Sequence, residues 1–133
     1  MIMKHGSLVA FLSGDFSSEK FMEEIADEIT AFYADLRNTN QGVVKISSGL
    51  PFVVTRSAAR HLLAAISTQA LSPDAAVYVA DCIVASDDIT FADEAARDAV
   101  FFVEDDSGRF AHGRDDVWTS EEILQALASL DQE

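Results

Sequence analysis

The chain is poor in cysteine, in long apolar runs and in positive charge. Its single cysteine, Cys82, excludes an internal disulfide and fits a reducing compartment, most simply a bacterial-type cytosol. The longest apolar run, residues 75–85, contains Asp81 and is shorter than the roughly 20 residues that span a bilayer. The apolar stretch at residues 8–12 is also shorter than the roughly 7 to 15 residues of an export signal. We therefore expect a cytoplasmic protein that has no membrane partner.

Positive charge is scarce and unevenly placed. Nine lysines and arginines stand against 23 aspartates and glutamates, which gives a net charge of -14. Nucleic-acid binding is excluded, because the phosphate contacts that provide its affinity require clustered Lys and Arg. Residues 72–133 hold 16 acidic side chains against three arginines, whereas residues 1–71 hold seven acids against six bases. The electrostatic field of such a charge distribution attracts and orients a basic partner protein. We therefore predict that the acidic half forms the functional surface.

Sequence motifs for catalysis or cofactor binding are also missing. The glycines, at positions 6, 14, 42, 49, 108 and 113, do not have the spacing of a phosphate-binding loop. The histidines, at positions 5, 61 and 112, are too far apart for a zinc motif. Aligning Gly108 with the glycine of an EF-hand calcium loop places Val103 and Arg114 where carboxylate ligands belong. We predict no cofactor and no metal site.

Two alternatives to a binding protein stay open. The loop 104–116 carries Asp105, Asp106, Asp115 and Asp116, and hard cations prefer carboxylate ligands. A small metal-assisted hydrolase that uses this loop is therefore the first alternative. The second is a soluble helical adaptor whose acidity keeps it dispersed. Calorimetry with divalent cations separates the hydrolase from a binding protein, because the binding protein takes up no stoichiometric ion.

Helix signals cover the first half of the chain. A short helix over residues 7–13, for which a short strand is the alternative, is predicted to end at Gly14, which readily adopts the left-handed conformation of a helix end. Ser17 caps a longer helix, whose apolar residues recur every three or four positions at Phe21, Ile25, Ile29, Phe32 and Leu36. Thr55 caps a locally basic helix that continues to about residue 70 and exposes Arg56 and Arg60.

The second half shows three further helix starts. Ser72, Pro73 and Asp74 begin a helix to about residue 85 that is apolar on nearly every side, which predicts a central position in the packing. Thr90 is predicted to cap a helix over residues 91–104. Thr119 and Glu122 have the spacing of a capping box at the start of the last helix.

The segment from residue 38 to residue 54 lacks helical periodicity. It contains two short β-branched runs separated by turn-forming residues, which predicts a loop with a small β-hairpin around residues 43–54. The predicted fold class is mainly α, with residues 1–133 forming a single globular domain. We expect a bundle of four main helices plus one short N-terminal helix.

Two stretches that cover about half the chain carry a family resemblance. Residues 8–25, LVAFLSGDFSSEKFMEEI, place a short helix ending in Gly before a helix that starts near an S-x-E-x-F motif. Residues 70–108, ALSPDAAVYVADCIVASDDITFADEAARDAVFFVEDDSG, place a helix with an alanine-rich AD core before a double acidic step and a second helix. Both stretches resemble small acidic bacterial immunity proteins, which neutralise toxins. The chain departs from them at Ala80 and Asp81, where a Trp is expected, and in the turn before the last helix.

The resemblance implies a helical protein that binds a cognate toxin, blocks it and performs no catalysis. The charge distribution independently favours a basic partner. We therefore expect a non-enzymatic acidic binding protein, specifically an immunity protein against a basic toxin such as a nuclease. The carboxylates predicted to contact the partner are Asp87, Asp88, Asp93, Glu94, Asp98, Glu104, Asp105, Asp106, Asp115 and Asp116.

Overall fold

The computed structural model describes residues 2–39, 44–104 and 118–131, which form six helices and two short strands. In chain order the elements are α1 (His5–Leu12), α2 (Ser18–Thr39), β1 (Phe52–Val54), α3 (Arg56–Ser67), α4 (Pro73–Ala85), β2 (Ile89–Phe91), α5 (Glu94–Val103) and α6 (Ser120–Ser129). The mainly helical class is confirmed. In the described residues five helices follow the short α1, one more than the four main helices predicted, because each of the five helix starts identified in the sequence is followed by a separate helix.

Most helix boundaries fall where local capping chemistry predicts them. The side chains of Ser17, Thr55 and Ser72 each accept a hydrogen bond from a backbone amide three residues later. Thr119 and Glu122 form the complete capping box of α6. Gly14, after the end of α1, has a φ of 82°, in the left-handed region that favours glycine. These predictions are confirmed.

The predicted cap at Thr90 is wrong. Thr90 lies in β2 and pairs with Val53, and α5 begins only at Glu94. The cap is Asp93, whose Oδ1 accepts a hydrogen bond from the backbone amide of Ala96 at 2.9 Å. Thr and Asp are both good N-caps, so the sequence pattern does not distinguish a strand residue from a cap residue three positions later.

The predicted hairpin around residues 43–54 is also wrong over its described residues. Strand β1 runs parallel to β2, and the two are joined by α3 and α4, which provide the long crossover that a parallel pair requires. The other β-branched run contains Ile46, and this residue pairs with Met3 near the N-terminus. Each run therefore finds a partner that is distant in sequence, and local turn signals carry no information about such pairing.

Helix α4 occupies the central position predicted for it. Residues 75–80, Cys82 and Ile83 are all buried. Asp81 is half-buried, unlike its buried neighbours Ala80 and Cys82. Across the N-terminal elements, Phe11 of α1 stacks on Phe21 of α2 with ring centroids 4.5 Å apart. These contacts hold the helices around one hydrophobic cluster.

Helix α3 supports the two C-terminal helices, because it contacts both α5 and α6. Its buried side is formed by residues that recur every three or four positions: Ala58, Ala59, Leu62, Leu63, Ala65 and Ile66. Within the described ranges, no helix combines the length and the apolar character needed to cross a membrane.

Candidate functional site

Helices α5 and α6 lie side by side and run in opposite directions. Arg56, the first residue of α3, connects the start of α5 to the end of α6: its Nε donates to Asp93 Oδ2 at 2.8 Å and its Nη1 donates to the Leu130 carbonyl at 3.3 Å. At the other end, the ring centroids of Phe102 and Trp118 are 6.0 Å apart. The start of each helix therefore lies near the end of the other.

A groove of about 770 Å³ lies between the two helices. Its acidic lining is formed by Asp93, Glu94 and Asp98 from the α5 side and Glu122 from α6. Its apolar lining is formed by Ala95, Ala99, Phe102 and Ala126. At 1.5 Å per residue, the α5 side from Glu94 to Phe102 is about 12 Å long, or roughly two helical turns. We call this feature the α5–α6 groove.

Asp93 has a structural role at one end of the α5–α6 groove. It accepts the Ala96 amide as the cap of α5 and the Arg56 guanidinium as an ion pair. The backbone hydrogen bond from Ala96, followed by the Arg56 interaction, lowers the pKa of the Asp93 carboxyl below its ordinary value. Asp93 therefore stays ionised, and its charge is locally compensated by Arg56.

The remaining groove carboxylates are exposed. Glu94 and Asp98 are separated by one helical turn and so lie on the same side of α5. Asp98 lies 3.6 Å from the guanidinium of its neighbour Arg97, in a solvent-exposed pair of the kind that contributes little to stability. Glu122 Oε1 accepts the Thr119 amide at 2.9 Å, which fixes its position at the start of α6. The groove therefore keeps a net negative charge, because Arg56 offsets Asp93 while Glu94, Asp98 and Glu122 remain.

Of the predicted partner-binding residues, the structure brings Asp93, Glu94 and Asp98 together in the α5–α6 groove. Asp87 and Asp88 lie in the turn before β2 and do not line it. Asp87 is exposed, whereas the half-buried Asp88 accepts the Gly49 amide at 3.2 Å. Glu104 is half-buried immediately after α5. The last four predicted residues, Asp105, Asp106, Asp115 and Asp116, lie outside the described residues.

Two groove residues have roles that the sequence interpretation missed. Arg56 was expected to be exposed, but it is half-buried and paired with Asp93. A positive charge in the first turn of a helix interacts unfavourably with the helix dipole. The presence of Arg56 there indicates that a negative charge on another element compensates the arginine. Arg60 is likewise half-buried and pairs with Asp131. Glu122 was recognised only as a cap, and nothing in the local pattern indicates that it faces α5.

Among the residues that the structure describes, no group of three or more His, Cys, Asp or Glu side chains is arranged to hold a metal ion. Most of the acidic loop 104–116, on which the hydrolase alternative depends, lies outside those residues. The metal-assisted hydrolase therefore stays an untested alternative.

A second polar cluster is buried between α2 and α4. Tyr78 donates its hydroxyl hydrogen to Glu28 Oε1 at 2.9 Å. Burial raises the pKa of the Glu28 carboxyl and, more strongly, that of the Tyr78 hydroxyl. Burial also raises the pKa of the Cys82 thiol to about 12, so this cysteine is protonated and unsuited to act as a nucleophile at neutral pH. This cluster is a structural feature of the core.

The Glu28 carboxyl predicts a specific pH dependence of stability. Because its pKa is higher in the folded state than in the unfolded state, the folded chain binds more protons in the interval between the two values. The contribution of Glu28 to wild-type stability should therefore fall as the pH rises from the unfolded pKa through the folded pKa. Replacing Glu28 with Gln should remove this slope, which urea unfolding between pH 4.5 and 7.5 measures. Glu23→Gln, an exposed change on the same helix, should leave the slope in place; equal slopes for wild type and Glu28→Gln would contradict the assignment.

Comparisons with models of protein families, with curated proteins and with solved structures found no match to this chain. The resemblance of residues 8–25 and 70–108 to toxin-neutralising proteins therefore stays a prediction.

Proposed function

We propose that this chain is a non-enzymatic, cytoplasmic binding protein that takes up a basic partner protein in its α5–α6 groove. The observation that carries the proposal is the combination, in one groove, of an acidic lining with an apolar one. A protein interface of high affinity typically has this composition, with an apolar centre and a charged periphery.

The charge of the groove supports a cationic partner. Glu94, Asp98 and Glu122 are exposed carboxylates, and the only arginine lining the described groove is already paired with Asp93. Asp74, Asp87 and Glu121 are exposed acids of the same half that lie outside the groove, and they add to its negative field. Such a field raises the rate of encounter with a basic surface and disfavours acidic competitors.

The apolar lining supports a protein rather than a small cation. A hydrated metal ion gains nothing from contact with Ala95, Ala99, Phe102 and Ala126, because hard cations bind through oxygen ligands. A protein side chain gains roughly 25 cal/mol for each Å² of apolar surface that it removes from water. The groove is also large enough for several side chains.

The specific role that we propose is that of an immunity protein that blocks a basic toxin such as a nuclease. Nucleases need a cationic surface to bind the phosphate backbone. A carboxylate-lined groove is complementary to such a surface, so its binding would exclude the substrate.

Capture followed by an inhibition assay tests this role. The immobilised wild-type chain should retain a basic protein from an extract of the cells that make it, and should release that protein at high salt because salt screens the attraction. Adding equimolar soluble chain should then abolish the activity of the released protein. An activity that persists with the complex fully formed would contradict the immunity role.

A further inference from the structure

The carboxylates of the α5–α6 groove have a defined spacing. Glu94 and Asp98 are one turn apart on α5, a spacing that places their Cβ atoms about 5–6 Å apart. Glu122 lines the α6 side of the same groove, which also has the apolar lining described above. Cations that are themselves one turn apart on a helix match the Glu94–Asp98 pair.

We propose that the partner element bound in the α5–α6 groove is an amphipathic α-helix. Its Lys or Arg side chains, one turn apart, pair with Glu94 and Asp98 on one side and with Glu122 on the other. Its large apolar side chains contact the lining between them. This inference rests on the proposed function, and it names the part of the partner and the groove residues that recognise it.

The walls of the groove favour a helix over an extended segment. Both walls are helices, whose backbone groups are hydrogen-bonded within α5 and α6. An extended segment would bring its own amides and carbonyls against Ala95, Ala99 and Ala126 without partners, which costs free energy. A helix satisfies its own backbone, and small residues beneath it allow its axis to come close.

Glu122 has two separable functions in this arrangement. Its carboxylate accepts the Thr119 amide, and Gln at this position also completes a capping box. Glu122→Gln therefore removes the negative charge and keeps the cap. Glu121, the preceding residue, is also exposed in the first turn of α6 but does not line the groove. Glu121→Gln is thus a matched control with the same change in net charge.

The test uses a synthetic helical peptide of about 14 residues, since shorter helices are marginal in water. The peptide has Leu along one side and Lys one turn apart on both flanks of that side. A second peptide of the same composition has the order scrambled, so it keeps its charge and loses its amphipathic character. Fluorescence anisotropy measures the affinity of each peptide for the full-length chain.

The amphipathic peptide should bind about ten-fold more tightly than the scrambled one, because only the former buries its leucines in the groove. Glu122→Gln should weaken its binding about three-fold, whereas Glu121→Gln leaves affinity unchanged. Both substitutions should shift thermal unfolding similarly, because each removes one negative charge from the first turn of α6. Equal affinities for the two peptides, or equal effects of the two substitutions on affinity, would overturn this inference. If either occurs while the captured basic protein is still inhibited, only the helix-in-groove inference fails. If the peptide pattern is as expected but no captured protein is inhibited, the immunity role fails instead.

Discussion

Replacing Asp98 with Lys is expected to weaken binding of a basic partner roughly 20-fold while making the chain slightly more stable. The affinity falls for two reasons: the groove loses one carboxylate, and the new Lys pairs with Glu94 one turn earlier. The same pair explains the gain in stability, because a like-charge repulsion on α5 is replaced by a Glu–Lys attraction in the favourable orientation. We expect a gain of about 0.5 kcal/mol in the free energy of unfolding.

A matched control exists on α2, where Glu23 and Asp27 have the same spacing and are also exposed. Asp27→Lys changes the net charge equally and creates the same kind of helical pair. Titration calorimetry with the captured basic protein, together with urea unfolding, should show similar stability for both variants and a large loss of affinity only for Asp98→Lys. Equal loss of affinity in both would mean that net charge, rather than the groove, determines binding.

Replacing Phe11 with Ala is expected to lower the free energy of unfolding by about 3–5 kcal/mol, a large fraction of the stability of a typical domain. Phe11 is fully buried, stacks on Phe21 and forms a T-shaped contact with His61 at 5.2 Å between ring centroids. The substitution leaves a cavity where α1, α2 and α3 meet. Chemical denaturation followed by circular dichroism measures the change.

Phe16 provides the comparison for this prediction. It is half-buried and contacts Phe21 edge-on, with ring centroids 6.2 Å apart. Phe16→Ala should cost less than half as much as Phe11→Ala, because it removes less buried surface and opens no closed cavity. Similar losses for the two substitutions would show that the packing at Phe11 is not as described.

The parts of the fold that local chemistry determines could be predicted from the sequence. Ser17, Ser72 and Thr119 cap the helices predicted for them, since a cap depends only on the next three residues. The parallel pairing of β1 with β2 could not be predicted, because it joins segments separated by two helices. Because Thr90 belongs to β2, α5 starts at Glu94 and not directly after Thr90.

The candidate site was predictable in its charge and not in its shape. Glu94 and Asp98 were predicted from the acidity of the C-terminal half. The contribution of Glu122 required knowing that α6 packs antiparallel to α5, and that of Arg56 required knowing that α3 begins beside both. The pairing of Asp93 with Arg56 also shows that part of the acidic surface is neutralised within the chain. The proposed binding surface is therefore smaller than the charge asymmetry alone indicates.

The most direct measurement of the central claim is residue-by-residue mapping of the bound surface by NMR. The isotopically labelled chain is titrated with the captured basic protein, and backbone amide shifts are followed. The largest shifts are expected on α5 from residue 94 to residue 102 and on α6 from residue 122 to residue 129. Shifts concentrated on the acidic side of α2, with α5 and α6 unchanged, would contradict it.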